Sequence, residues 1–194
     1  MAKQGRAQRT RELVLDSAAI EFAAHGFAGT NLQYVAERTG LTKGALYGHF
    51  ASKALLAAEL TDQFQQSWND ILGPAHTHTG SPMSALRRLA LTLTERHDID
   101  MRFQAGLRLA TEDARNSGGR SAQLDDLHEL ILSLMKDAQR LGEVPPRHSP
   151  ETLSCIALAM LFGIQQLTAL VKTDDLLERI RTMCEVLIPT GKDI

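Results

Sequence analysis

An all-α chain of about nine helices is what the sequence predicts, built as an N-terminal three-helix head joined to a larger C-terminal helical domain. Three observations predict it. Apolar residues recur at helical spacing from Leu13 to Leu187, no segment alternates convincingly with period two, and glycines, prolines and N-cap residues punctuate the stripes. The expected division is 1–51 for the head with its basic arm and 52–194 for the rest.

The elements follow in order. From Arg9 to His25 the stripe Leu13, Val14, Ile20, Ala23 and Ala24 describes a first helix, ended by Gly26, with Phe27 packing beneath the turn. Thr30 is the expected N-cap of a second, whose inward residues are Leu32, Val35 and Ala36. Gly40 stops it, because glycine tolerates the left-handed conformation just past a helix end. Thr42 then caps a third helix beginning Lys43-Gly44-Ala45-Leu46-Tyr47. Ser52 caps a long fourth in which Leu56, Leu60, Phe64 and Trp68 recur every four residues, finishing near Gly73-Pro74. After a loop over 75–82, Met83, Leu86, Leu89, Ala90 and Leu93 form the next stripe, broken around His97-Asp98. A helix from Asp100 to Glu112 follows, then the loop Asn116-Ser117-Gly118-Gly119. Leu124, Leu127, Ile131, Leu134 and Met135 continue to Gly142, and Pro145-Pro146 ends that element. Two final helices are expected over 150–172 and 174–188, with Cys155 and Cys184 as small core residues in their stripes.

Composition narrows the function classes. The chain has 194 residues, 43% of them hydrophobic, enough for a buried core in one domain or two. No apolar run approaches the roughly 20 residues that cross a bilayer, and the N-terminus lacks an apolar signal core, so a cytoplasmic protein is expected. The net charge of −2 hides an asymmetry. Residues 1–55 carry seven Lys/Arg against four Asp/Glu, whereas the remainder carries fourteen against nineteen. Only the N-terminal quarter suits a polyanion.

Thr30 to Lys53 supplies the chemistry for one. Two short helices around a tight turn form a helix-turn-helix, whose second helix is shaped to enter a major groove. Gly44 is a poor helix former, costing roughly 1 kcal/mol against alanine, and makes sense where the backbone must approach a neighbouring surface; Ala45 leaves room beside it. Lys43 can donate to guanine O6/N7 or to a phosphate, and Thr42 offers a hydroxyl at a helix N-terminus. Tyr47, His49 and Lys53 add donors on the same edge, although Tyr47 and His49 equally fit packing residues closing a three-helix core. Lys3, Arg6, Arg9 and Arg11 make a flexible basic arm for phosphates or a minor groove, or an ordinary solvated terminus.

The run TxxxxVAxxxGLTKGALYxHFxSK, a helix before it and a long helix after it resemble the TetR family of bacterial transcriptional regulators. The opening MAKQGRAQRTR, AGLRLATEDA at 105–114 and the closing IPTGKD are similar to its γ-butyrolactone receptor branch. The resemblance implies a homodimer that represses promoters and is released when a small hydrophobic effector fills the C-terminal domain. By position, the pocket it implies takes Phe64, Trp68, Leu86, Leu107, Leu127, Ile131, Met160, Ile164 and Gln165, which as an unlabelled set is also simply a core. Butyrolactone receptors are similar around His128-Glu129 but carry tryptophan where this chain has Leu127, and polar groups where it has Phe64 and Ile164. An unpaired lactone carbonyl buried there would cost roughly 1–3 kcal/mol, which favours a larger or more apolar effector, or none.

The last two helices are apolar on more than one side, with Leu158, Leu161, Phe162 and Leu170 off the main stripe, and are expected to pair with their copies as a four-helix bundle; full burial within a monomer is the alternative. No cofactor, metal or catalytic set is expected. His76 and His78 sit in a loop without a nearby cysteine or carboxylate, His97, Asp98 and Asp100 lie at a helix break, and there is neither a phosphate loop nor a nucleophile elbow. The competing reading is a scavenging or protein-interaction module with a vestigial head.

Overall fold

A computed structural model describes residues 2–119, 121–170 and 182. Eight helices make up the described chain: α1 (Ala2–Gly29), α2 (Leu32–Thr39), α3 (Lys43–His49), α4 (Lys53–His76), α5 (Pro82–Ile99), α6 (Met101–Asn116), α7 (Ala122–Arg140) and α8 (Pro150–Leu170). Among the described residues there is no strand, and the all-α expectation holds. The last expected helix, over 174–188, and Cys184 lie outside them.

Several boundaries move for identifiable reasons. α1 begins at Ala2, so the expected flexible arm is helical. Its Ala, Gln and Arg residues are good helix formers, Gln8 donates to Glu12 one turn on at 2.9 Å, and the Thr10 hydroxyl donates to the Arg6 carbonyl. Gly26 ends the regular helical run of α1, as expected, adopting φ 67° and ψ −174°, a conformation open essentially only to glycine, and the last residues to Gly29 follow across a kink. The buried face of α1 is Val14, Leu15, Ala18, Ala19 and Phe22, one position out of phase with the expected stripe, and Leu13 is 58% exposed. α4 continues past Pro74 to His76, and α5 runs through His97-Asp98 to Ile99, where Asp100 caps α6 by accepting from the Arg102 and Phe103 amides at 3.0 Å. Cys155 is exposed on α8, not buried as expected.

The chain forms two compact units. The first is Met1–Ser67 with Ile99–Ser121; the second is Trp68–Asp98 with Ala122–Ile194. The unit that contains the head therefore runs beyond residue 51 to take in the first part of α4 and all of α6. The cause is a shared core. Ala105 and Leu109 of α6 are buried with Val14, Leu15, Phe22, Val35, Leu46, Phe50, Leu56 and Leu60. Gly106 lets α6 approach α4 at Phe64 and Leu60, and Phe64 meets Phe103 edge to face with ring centres 5.0 Å apart.

Ion pairs bind the outer side of that core. Arg102 reaches Asp16 at 2.7 Å, Glu12 at 2.9 Å and the Gln63 amide oxygen at 3.2 Å. Burial alone would lower the Arg102 pKa, but hydrogen bonds to Asp16 and Glu12 outweigh it and the shift is upward. Arg11 pairs with Glu59 at 2.9 Å while its guanidinium lies 4.7 Å from the centre of the Phe50 ring, so this member of the basic arm is spent inside the head. In the second unit, α7 and α8 pack together, with Leu127, Leu130, Ile131, Leu134 and Met135 buried. Glu143, in the turn between them, accepts from the Ser81 hydroxyl and the Met83 amide to close the start of α5.

Candidate nucleic-acid interface and effector cavity

The turn between α2 and α3 forms by local rules. Gly40 is left-handed at φ 68°, and its N–H and that of Leu41 close the end of α2 on Glu37 and Ala36. Thr42 accepts from the Ala45 amide at 3.2 Å and starts α3, as expected. Leu32, Val35 and Ala36 of α2 and Leu46 of α3 are buried, and Phe50 closes the base. The remaining face of α3 is open. Lys43, Gly44, Ala45, Tyr47 and Gly48 are exposed, and His49 is half-buried. A Cβ built on Gly44 or Gly48 would meet no atom within 4 Å. Neither glycine has a positive φ, so the chain gains nothing from them in its own fold, while each weakens the helix by about 1 kcal/mol.

Two expected contact residues are occupied elsewhere. Thr30 is 5% exposed and donates its hydroxyl to the Gly26 carbonyl at 2.7 Å. The N-cap of α2 is Asn31, one residue later, accepting from the Gln33 amide at 2.9 Å. Lys53 donates to the Thr30 carbonyl at 2.8 Å and lies 4.8 Å from the Phe27 ring centre. Both side chains close the α1–α2 corner: the Thr30 hydroxyl joins its own N–H on the Gly26 carbonyl, and Lys53 also reaches the Ala28 carbonyl at 3.4 Å. Arg6 and Arg9 are exposed on the N-terminal turns of α1, and the side chain of Lys3 is not described. Sequence reasoning passed over Gly48 and Tyr34; Tyr34 is exposed on α2, off its buried stripe, which the spacing of Leu32, Val35 and Ala36 could have indicated.

The corner is also held from α6. Glu112 accepts from the Phe27 amide at 2.8 Å and from Arg108 at 2.9 Å, and Arg108 donates to the Ala23 carbonyl at 2.8 Å. Burial pushes the Glu112 carboxyl up, but the Arg108 and Phe27 hydrogen bonds outweigh it and hold it below 4.5. The hydrogen bond from Arg11, against some burial, likewise holds Glu59 below 4.5. A carboxyl depressed in the fold contributes stability above its unfolded value and loses it as pH falls through the folded one. The contribution of these two carboxyls to the urea midpoint is therefore expected to be flat from neutral pH to about 4.5 and to drop below it, on top of an earlier loss as pH falls through 6.5 from His97, whose pKa burial lowers. Glu112→Gln should flatten that drop, and an unchanged acid limb in this variant would remove Glu112 from it.

In the second unit a cavity of about 430 Å³ lies among Asn69, Leu72, Gly73 and His76 of α4 and Asp126, Glu129, Leu130 and Ser133 of α7. None of the expected pocket residues lines it. Trp68, Leu86, Leu127 and Ile131 are buried in that unit and Met160 is half-buried, whereas the side chains of Ile164 and Gln165 are not described. Phe64 and the half-buried Leu107 belong to the first unit, where Phe64 is a core residue packed on Phe103 and Gly106. Among the described residues no three His, Cys, Asp or Glu side chains gather as a metal set. No helix of the described chain is long and apolar enough to cross a membrane.

Residues 14–60 match the family of bacterial regulatory proteins, tetR family. The A-factor receptor protein of Streptomyces griseus is 32% identical over 169 residues, 85% of this chain, which spans only 57% of that protein's length. The HTH-type transcriptional regulator TtgR of Pseudomonas putida is 26% identical over 197 residues, covering 97% of this chain and 92% of the relative. A solved structure concerned with control of antibiotic production by bacterial hormones superposes with a TM-score of 0.66 at 27% identity, over 92% of this chain and 95% of its own. These relatives are regulators and not enzymes. With its all-helical fold and its helix-turn-helix at residues 32–49, the chain carries an N-terminal module that matches the tetR family of bacterial regulatory proteins.

Proposed function

We propose that the protein is a dimeric operator-binding repressor that a small effector releases from DNA. The observation that carries this is the bare outer face of α3: Lys43, Gly44, Ala45, Tyr47 and Gly48 are exposed while Leu46 alone is buried. Lys43 is the base-reading donor, Thr42 and Tyr47 flank it, and Arg6 and Arg9 supply phosphate contacts that carry no sequence information. Lys43→Ala is expected to cost about 1–3 kcal/mol of operator affinity and to relax the preference at one base pair; Arg9→Ala should weaken all duplexes alike. Sites selected from random duplex DNA, then measured by gel shift over a salt series, test both, since phosphate contacts make specific binding fall steeply with salt. Binding indifferent to salt and to both substitutions would end this reading.

The dimer we propose forms through α8 and the chain that follows it. On α8, Ser154, Ala157 and Leu161 are buried, while Ile156 (51% exposed) and Phe162 present apolar surface outward, which fits pairing with a second copy. Two heads would then read half-sites separated by whole turns of the duplex.

The effector seat we propose is in the second unit, where the buried Trp68, Leu86, Leu127 and Ile131 must part to admit a ligand, since none of them lines the cavity between α4 and α7. The cavity between α4 and α7 has an apolar floor at Leu72 and Leu130, and its rim carries the carboxylates Asp126 and Glu129, which disfavour an anionic effector. The likeness to the A-factor receptor supports a hormone-type signal, and the structure concerned with antibiotic control supports a role in secondary metabolism. Leu127 in place of an aromatic platform favours a compound more apolar than a butyrolactone, such as an antibiotic or its biosynthetic intermediate. Release works through α4, one helix of 24 residues that contains Trp68 and leads back to the base of the reader at Phe50. A preference of a few kcal/mol for the released state is enough. Compounds that free the protein from its selected DNA identify the effector; one that binds together with operator, neither weakening the other, would overturn the mechanism.

A further inference from the structure

Two glycines four residues apart occupy a seven-residue helix, and the second of them, Gly48, has no role in the fold. Its φ is not positive, no atom lies within 4 Å of where its Cβ would be, and it is exposed. Residues at this spacing stack on one face of a helix, so Gly44 and Gly48 lay bare a full turn of backbone, with Ala45 flanking it on one side and Tyr47 on the other. Lys43 stands at one end of this strip and Tyr47 along its edge. A helix that sacrifices propensity twice on one face, with no packing or backbone demand from its own chain, leaves room for something outside it.

We propose that Gly48 sets how deeply α3 enters the major groove. With Gly44, it brings the helix backbone itself against the base edges. The duplex under the strip is then read by the Ala45 methyl and by groove shape, with Lys43 and Tyr47 as the polar readers. This rests on the DNA-reading function proposed above. It adds a position that lies outside the helix start and fixes the depth to which the other readers reach.

The test separates fold from docking by the sign of two measurements on Gly48→Ala and Gly48→Leu in the full chain. Alanine should leave the thermal midpoint unchanged or raise it, because it is the better helix former. Operator affinity, measured at one fixed salt concentration on DNA selected by the unsubstituted protein, should fall at least tenfold with alanine and at least a hundredfold with leucine. Equal or tighter binding by Gly48→Ala, with the unsubstituted protein binding normally, overturns the depth role and leaves DNA reading intact. A lowered thermal midpoint in Gly48→Ala also overturns it, by making the glycine a structural requirement. If the unsubstituted protein selects no duplex at all, the function beneath the inference fails with it.

Discussion

Gly106→Ala is expected to destabilise the protein by about 2 kcal/mol, although alanine is the better helix former by roughly 1 kcal/mol. The glycine lies where α6 crosses α4. A Cβ there would run into the Cβ of Phe64 and come within 2.9 Å of the Leu60 carbonyl oxygen. The side chain of Phe64 has no free space to move into, being 1% exposed and packed edge to face on Phe103. The Leu60 oxygen is backbone and moves only with its helix. Overpacking costs about 1–3 kcal/mol, and a clash against atoms with nowhere to move takes the upper end of that range, leaving about 2 kcal/mol after propensity returns roughly 1. The urea midpoint should fall with an unchanged slope, and the thermal midpoint by about 2–4 °C for each kcal/mol at this chain length. A gain in stability, as propensity alone would give, would show that α6 and α4 are not in this contact.

The largest functional loss is expected from Gly44→Leu. The side chain would enter open space, since no atom of the chain lies within 4 Å of the built Cβ, so the fold should be as stable as before or slightly more so. The same branched side chain would stand between the α3 backbone and any surface it docks on. A loss of at least a hundredfold in operator affinity is expected, equivalent to about 2.7 kcal/mol. Circular dichroism and thermal melting establish the fold, and a gel shift on selected DNA reads the loss. Normal affinity in a folded Gly44→Leu protein would place the reader on another surface.

The helix-turn-helix was legible because its signals are local. Gly40 needs a left-handed conformation, Thr42 caps the residues that follow it, and Leu46 is buried by a spacing of a few residues. Errors arose where the deciding partner is distant in sequence. Thr30 and Asn31 are both good caps, and the Gly26 carbonyl, which takes the Thr30 hydroxyl, selects Asn31. Lys53 reads in the sequence as one more cation for phosphate, and its packing on the Thr30 carbonyl and the Phe27 ring depends on partners more than twenty residues away. The phase of α1 slipped because Leu13 and Leu15 are alike in the sequence, and the elements packed on α1, α6 nearly ninety residues on among them, decide which of the two is covered. The pocket was the least legible part. An apolar stripe names interior residues without separating those that wall a space from those that fill one, and Phe64 fills one.

The reader's fold is assembled from two stretches of chain, 1–67 and 99–121, with α5 lying between them in sequence. It is therefore not a cassette. A chimera that grafts residues 1–51 onto another sensor would carry the apolar side of α1 without Ala105 and Leu109, and the Phe27 amide without its acceptor on Glu112. Domain swapping between regulators of this build succeeds at the level of the donor's α6, or the transplanted reader arrives with its lid missing.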